Sequence, residues 1–127
     1  MDPSARRLIL VVEDDADLAA TCERLLRRRG HAVVAVGSRA AALASLEQAP
    51  PALVVSDLRL PDGSGLDIVR AATAMEPRVP VVVMTGRASE TGRTQARAAG
   101  AVAYLPKPFS VDSFASAVDR ALVGGIA

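Results

Sequence analysis

The sequence predicts an α/β fold in which a doubly wound, five-stranded parallel sheet carries five helices on its two faces. Two observations predict this fold class. Five short apolar runs lack alternation of polar and apolar residues, which is typical of strands covered on both faces. Segments with helical spacing of apolar residues separate those runs, and such a regular succession indicates a parallel sheet between helices.

The length of the chain favours a single domain over residues 1–127. Half of the 127 residues are hydrophobic, which suffices for one compact core and leaves little room for a second. We expect the core over about residues 7–123, with residues 124–127 as a tail or linker stub. Only 2% of the residues are aromatic, so small aliphatic side chains, including 25 alanines and 16 valines, must fill the core.

The five predicted strands are rich in valine and other residues that favour extended structure. Each run is too short for a helix of ordinary length. The strands are expected over residues 8–12, 32–36, 53–55, 81–84 and 102–105. In an open parallel sheet with right-handed crossovers, ligands bind beyond the carboxyl ends of the strands. The residues that end each strand are therefore the place to look for chemistry.

The first helix is predicted from an apolar stripe at helical spacing that includes Leu18, Cys22 and Leu26 and ends before Gly30. Cys22 is expected to be a small buried hydrophobe within that stripe. As the single cysteine it also excludes an internal disulfide framework and a zinc site of paired cysteines. His31 follows the helix and is expected in a surface loop.

The other helices are predicted mainly from their starts. Ser38 is a candidate N-cap for an alanine-rich second helix, and Ser64 with Asp67 forms the Ser-x-x-acid pattern that begins a third. A fifth helix follows Ser110. The fourth helix is expected within residues 88–99, a segment that lacks large apolar residues.

Charge and hydropathy exclude several classes of function. Fifteen cationic against 14 acidic residues leave a net charge of +1, too balanced for direct binding of nucleic acid through phosphate contacts. No apolar run approaches the roughly 20 residues of a membrane span, and the N-terminus does not resemble a signal peptide. We therefore expect a cytoplasmic protein without a membrane partner. Fourteen of the cations are arginine, and Lys107 is the only lysine.

Acidic and other polar side chains follow the predicted strands. Glu13 and Asp14 follow the first, Asp57 the third and Thr85 the fourth, while Lys107 lies just beyond the fifth. Three carboxylates on one rim repel one another unless a divalent cation neutralises them, and such hard oxygen ligands suit Mg²⁺ or Mn²⁺. Cation, hydroxyl, ammonium and nucleophilic carboxylate together suit a phosphoryl group.

The first acidic cluster allows two registers. Three consecutive acids permit the functional pair to be Glu13 with Asp14 or Asp14 with Asp15, and Asp14 is common to both. Asp15 and Asp17 are interpreted as acids that stabilise the start of the first helix. Taken alone, Asp57 would be interpreted as a solvated acid before a turn.

Four motifs, in order and at family-like separations, resemble the receiver domain of two-component response regulators, the CheY-like superfamily. The resemblance runs from about residue 8 to residue 122, and its motifs are LVVEDD at 10–15, LVVSDLRLPDGSG at 53–65, VVVMTG at 81–86 and YLPKPF at 104–109. It implies the flavodoxin-like strand order 2-1-3-4-5. Each motif is weak alone, but together they are highly specific.

The resemblance implies a role for each acid. Asp57 would accept a phosphoryl group from a phosphohistidine of a sensor histidine kinase or phosphotransfer protein and later lose it to water. Asp14 and Asp57 would bind Mg²⁺ directly and Glu13 through water, with the main-chain carbonyl of Arg59 completing the protein ligands. The chain would thus catalyse its own phosphorylation and dephosphorylation, without turnover of a separate substrate.

The resemblance also implies a switch. Thr85 would donate its hydroxyl to a phosphoryl oxygen, and Lys107 would pair with the phosphoryl charge. Tyr104 would then turn inward and alter the face formed by the fourth helix, fifth strand and fifth helix. The bond between Lys107 and Pro108 is expected to be cis. The output domain or effector is not identifiable, and the resemblance leaves room for a phosphorylation-dependent dimer.

Two alternatives belong to other classes. A receiver-like interaction module that is not phosphorylated would lack one of the acids, the threonine or the lysine, and none is missing. A flavin carrier or aspartyl-nucleophile phosphatase of the same fold would need a different loop after the first strand, or a second acid two positions beyond Asp57, where Arg59 stands.

Overall fold

The structure is a computed structural model that describes residues 7–124. Its main sheet has five parallel strands, in the spatial order β2-β1-β3-β4-β5. The strands are β1 Leu8–Val12, β2 Ala32–Val36, β3 Leu53–Asp57, β4 Val81–Thr85 and β5 Ala103–Pro106. The predicted α/β class and the strand order 2-1-3-4-5 are therefore confirmed.

Five helices alternate with the strands, as predicted. They are α1 Ala16–Arg28, α2 Arg39–Gln48, α3 Gly65–Thr73, α4 Glu90–Ala99 and α5 Val111–Gly124. The side chains of Asp15, Ser38, Ser64 and Ser89 cap the first four helices by accepting backbone N–H hydrogen bonds. No helix among the described residues is both long and apolar enough to cross a membrane.

Some predicted boundaries are wrong by one or two residues. β3 continues through Asp57, because Ser56 and Asp57 still pair with β4. α4 forms although it lacks large apolar residues, since Ser89 caps its start and Gly100, at φ 119°, ends it in the left-handed region. Gly124 was expected in the tail and instead ends α5. The rest of that tail, 125–127, lies outside the described residues.

Two apolar layers cover the sheet. Alternate residues of β1 contribute to opposite layers: Ile9 packs in the layer with α1 and α5, and Leu10 in the layer with α2, α3 and α4. The prediction that all strands are covered on both faces is wrong for the edge strands. In β2, Val34 is 42% exposed, and β5 has no fully buried residue. The helices therefore cover the central strands of the sheet and leave parts of the edge strands β2 and β5 exposed to solvent.

The histidine expected in a surface loop is buried. His31 is 8% exposed, because the chain turns at Gly30 and leads directly into β2. Its Nδ1 has no hydrogen-bond partner within residues 7–124. Burial lowers the pKa of His31, and the positive charges of Arg29 and Arg7 lower it further, against the opposing effect of Asp119.

Because His31 is buried with a lowered pKa, we expect the free energy of unfolding to fall in mild acid. Unfolding restores the ordinary pKa of His31, near 6.5, so the unfolded chain binds a proton at a higher pH than the folded chain. The stabilising contribution is therefore complete above about pH 6.5 and is lost as the pH falls through the lower, folded-state pKa. Urea unfolding at pH 7 and pH 5 should show a larger loss for the wild type than for His31→Gln.

The difference between the two proteins isolates this residue, because both carry the same carboxylates. Equal pH dependence in wild type and His31→Gln would contradict the assignment.

Candidate functional site

Three acids converge at the carboxyl ends of β1 and β3. Glu13 follows β1 and is buried, Asp14 is exposed, and Asp57 ends β3 with 8% of its surface exposed. One carboxylate oxygen from each lies within 4.8 Å of those of the other two. Asp15 accepts hydrogen bonds from the N–H groups of Asp17 and Leu18 and so caps α1. The structure thus places Glu13 with Asp14, rather than Asp15, beside Asp57.

The only lysine of the sequence joins two of these acids. Lys107 follows β5, and its Nζ donates to Glu13 Oε1 at 2.6 Å and to Asp57 Oδ2 at 2.9 Å. Its side chain is 20% exposed. The peptide bond between Lys107 and Pro108 is cis. The ammonium therefore partly neutralises the acidic group from the side of β5.

Burial and the hydrogen bonds of Lys107 shift the pKa values of Glu13 and Lys107 in opposite directions. Burial raises the pKa of Glu13, and the negative charge of Asp57 adds to the rise, against the lowering effect of the hydrogen bond from Lys107. For Lys107, burial lowers the pKa, but the hydrogen bonds to Glu13 and Asp57 outweigh it and raise the pKa. Lys107 is consequently a fixed positive charge at neutral pH.

The backbone around Asp57 is held closely. Asp57 Oδ1 accepts a hydrogen bond of 3.1 Å from the Arg59 N–H, and Leu58 N–H donates to the Met84 carbonyl of β4. Gly65 begins α3 directly against this segment, and a Cβ there would lie only 2.1 Å from the Asp57 carbonyl oxygen. The site accommodates no side chain at that position.

A short hairpin connects Asp57 to α3. Arg59 and Leu60 pair in antiparallel fashion with Ser64 and Gly63, and we call residues 59–64 the acceptor hairpin. Arg59, predicted to contribute its carbonyl to the metal, is thus the first residue of a paired element and lies two positions beyond Asp57.

Thr85 ends β4 beside this group. It is 3% exposed, its hydroxyl accepts a hydrogen bond from the Arg87 N–H at 3.0 Å, and its carbonyl accepts one from the Lys107 N–H at 2.7 Å. The backbone thus ties Thr85 directly to Lys107. A cleft of about 710 Å³ extends from Thr85 towards Arg59 and the start of α4.

Tyr104 lies in β5 and contacts the start of α4. Its hydroxyl accepts a hydrogen bond from the Ser89 N–H at 3.2 Å, and the Arg93 guanidinium lies 4.8 Å above the centre of its ring. Gly92 permits the approach, since a Cβ there would lie 2.9 Å from the tyrosine hydroxyl. The half-buried ring thus links β5 to α4.

The acidic group has the donor set of a magnesium or manganese site. Its three carboxylates offer hard oxygen atoms close together, and the exposed Asp14 leaves one side open for water ligands. One ammonium, on Lys107, opposes three acids, so the group retains negative charge that a divalent cation would neutralise. The residues present therefore fit Mg²⁺.

A family model described as the response regulator receiver domain matches residues 9–119, which include all of the site residues above. The chain belongs to this family. As a receiver domain it is 32% identical over 117 residues to the DNA-binding transcriptional regulator NtrC of Escherichia coli K12. The match covers 92% of this chain and 25% of that relative, so the chain spans about a quarter of its length.

Two solved structures resemble this receiver domain. One is the receiver domain of sensor histidine kinase PA1611 of Pseudomonas aeruginosa, with a magnesium ion in its active site cleft, at 30% identity and a TM-score of 0.83, covering 94% of this chain and 99% of that one. The other is a response regulator of Burkholderia pseudomallei with a phosphorylated aspartic acid and a calcium ion. Its identity is 31% and its TM-score 0.83, and the match covers 93% of this chain and 69% of that one.

Sequence reasoning missed three contacts of the receiver domain. The tight approach of Gly65 to Asp57, the contact of Gly92 with Tyr104 and the binding of Asp62 to the start of α2 had no predicted role. The glycines offer only a weak sequence signal, because a glycine at a helix start does not reveal what it faces. An aspartate followed by a glycine, as at Asp62 and Gly63, is a signal for a turn and reveals nothing about a distant partner.

Proposed function

We propose that this chain is the phosphoacceptor receiver domain of a two-component phosphorelay and that Asp57 is the residue phosphorylated. The observation that supports this best is the position of the Asp57 carboxylate, among two further acids and 2.9 Å from the Lys107 ammonium. A nucleophilic carboxylate beside a cation site and a fixed positive charge suits phosphoryl transfer, which depends on positioning and charge neutralisation.

In the proposed reaction, a carboxylate oxygen of Asp57 attacks the phosphorus of a phosphohistidine. The new O–P bond forms as the N–P bond breaks, and the released histidine regains its ring nitrogen lone pair. Bound Mg²⁺ would supply neutralisation of the phosphoryl charge. Glu13, Asp14 and the Arg59 carbonyl would hold that ion with Asp57, while Lys107 would move from its two carboxylates to a phosphoryl oxygen.

Loss of the signal reverses the modification by a different route. Water attacks the phosphorus, the O–P bond to Asp57 breaks, and inorganic phosphate leaves while the carboxylate is restored. The exposed side of the site at Asp14 gives water access.

The proposed switch uses Thr85 and Tyr104. The Thr85 hydroxyl would move to donate to a phosphoryl oxygen, and that movement would strain or break the hydrogen bond that it now accepts from the Arg87 N–H. Movement at Arg87 would reach Ser89, whose N–H binds the Tyr104 hydroxyl, and thus alter the face formed by α4, β5 and α5. We propose a sensor histidine kinase or phosphotransfer protein as donor and, since relatives such as NtrC are longer, an output region as recipient.

Phosphorylation by a small donor tests the proposal. Incubation with Mg²⁺ and acetyl phosphate should add one phosphoryl group by intact-mass measurement, and Asp57→Asn or removal of Mg²⁺ with EDTA should abolish the gain. Asp17→Asn serves as the matched control, because Asp17 is an exposed acid in the first turn of α1. A wild-type mass that stays unchanged would instead favour a receiver-like interaction module, and a gain retained in Asp57→Asn would exclude Asp57 as acceptor.

A further inference from the structure

A carboxylate from the acceptor hairpin binds the start of a distant helix. Asp62 accepts hydrogen bonds from two consecutive backbone N–H groups at the start of α2, that of Arg39 at 2.7 Å and that of Ala40 at 2.9 Å. These N–H groups have no partner within their own helix, so the carboxylate provides what the helix lacks. The same hydrogen bonds hold the pKa of Asp62 below its usual range.

Arg39 makes a second connection across the same gap. Its Nε donates to Asp67 Oδ2 at 2.8 Å, in the first turn of α3. The side chain crosses Gly63 of the hairpin so closely that a Cβ there would lie 2.7 Å from the Arg39 Cδ. The backbone N–H of Arg39 thus binds the acceptor hairpin through Asp62, and its side chain binds α3 through Asp67.

The two ends of this connection carry different parts of the proposed metal site. The hairpin begins with Arg59, whose N–H binds Asp57 Oδ1. On the other side, α2 follows β2, where the Val36 carbonyl accepts a 3.0 Å hydrogen bond from the Glu13 N–H. The contacts of Asp62 and Arg39 therefore connect two segments. One carries Asp57 and Arg59, and the other follows β2, which is hydrogen-bonded to Glu13.

We propose that Asp62 and Arg39 are positioning residues for the divalent cation, holding the acceptor hairpin at the distance from Glu13 and Asp14 that the site requires. This inference rests on the proposed function, since it assumes that the acidic group binds Mg²⁺. Neither side chain is assigned to the ion itself. Their loss acts through the hairpin and weakens Mg²⁺ binding before any phosphorylation occurs.

Capping of α2 can be separated from positioning. Ser38 caps the same helix by accepting a 3.1 Å hydrogen bond from the Ala41 N–H, and none of its described hydrogen bonds reaches the hairpin. Ser38→Ala therefore weakens the start of α2 and leaves the Asp62 contacts in place. It is the matched control for Asp62→Ala.

A simple charge effect makes a different prediction for Arg39. Removing the acid at position 62 weakens a nearby cation site by electrostatics alone, whereas removing the positive charge of Arg39 would strengthen it. The positioning role predicts that Asp62→Ala and Arg39→Gln both weaken Mg²⁺ binding. The sign of the Arg39→Gln effect thus decides between the two explanations.

The test is isothermal titration of the unphosphorylated full chain with MgCl₂, supported by amide hydrogen exchange in metal-free buffer. Asp62→Ala and Arg39→Gln should each raise the Mg²⁺ dissociation constant by about tenfold, as outer contacts of metal sites do. Ser38→Ala should stay within about twofold of the wild type. Exchange across residues 58–65 should be faster in Asp62→Ala than in Ser38→Ala.

Three results would overturn the inference. Wild-type affinity in Asp62→Ala, tighter binding in Arg39→Gln, or an equal loss in Ser38→Ala would each remove the positioning role while leaving the proposed function intact. A wild-type chain that binds no Mg²⁺ would overturn the proposed function together with the inference. Urea unfolding of each variant verifies that the titrated protein is folded.

Discussion

Lys107→Arg is expected to preserve the fold and the binding of Mg²⁺. It should reduce the change in Tyr104 fluorescence that follows phosphorylation of Asp57 by about tenfold. That size corresponds to the loss of one charge-assisted hydrogen bond, worth about 1.5 kcal/mol. The lysine Nζ is a compact donor that contacts Glu13 Oε1 at 2.6 Å and Asp57 Oδ2 at 2.9 Å from a side chain that is only 20% exposed.

The guanidinium is a poor replacement at this position because it is a wide, planar group with a fixed arrangement of donors. It retains the charge that partly neutralises the acids, which is why the fold and the cation site should persist. It does not fit as a single donor between two buried carboxylates, and so it should not move to a phosphoryl oxygen as lysine would.

The fluorescence of Tyr104 provides the measurement. The chain contains one tyrosine and no tryptophan, so intrinsic fluorescence reports the residue that contacts Ser89 and Arg93. Acetyl phosphate with Mg²⁺ should change this fluorescence in the wild type. It should do so equally in the control Arg28→Lys, because Arg28 is an exposed residue of α1. A full wild-type change in phosphorylated Lys107→Arg would show that any cation suffices at position 107.

The sequence was sufficient to predict the parts of the molecule that depend on local pattern. Buried strands such as Leu8–Val12 show as unbroken apolar runs, and a parallel sheet then brings the residues that end its strands, among them Asp14 and Asp57, to one rim. The sequence pattern also drew attention to Lys107, because one lysine among 15 cations is a signal that needs no structure.

Contacts between distant segments could not be predicted in this way. Asp62 binds Arg39 and Ala40 at the start of α2, which are separated from it by 23 and 22 positions in the sequence. Local sequence propensity gives no information about a contact over such a separation. His31 was misplaced because its position just after the first helix suggested a surface loop, whereas the turn at Gly30 carries it into the protein. Exposure of β2 likewise depends on which strands form the edges of the sheet, a property of the whole fold.

Gly65→Ala is expected to lower the free energy of unfolding by about 3 kcal/mol and to abolish phosphorylation of Asp57. A methyl group at this position would lie 2.1 Å from the Asp57 carbonyl oxygen and 3.0 Å from the Leu58 Cα, so backbone must move. Alanine favours a helix over glycine by about 1 kcal/mol, which is smaller than the cost of this overlap. Urea unfolding and intact-mass measurement after acetyl phosphate treatment test the two effects.

Gly86→Ala is the matched control, because Gly86 adjoins Thr85 at the same rim and a Cβ there would meet no atom within 4 Å. Its free energy of unfolding should stay within about 0.5 kcal/mol of the wild type, and Asp57 should still be phosphorylated. Equal losses in the two variants would mean that the rim tolerates no added methyl group anywhere. A loss confined to Gly65→Ala would instead assign the effect to the close contact of α3 with Asp57 and Leu58, because a Cβ at Gly86 meets no atom within 4 Å.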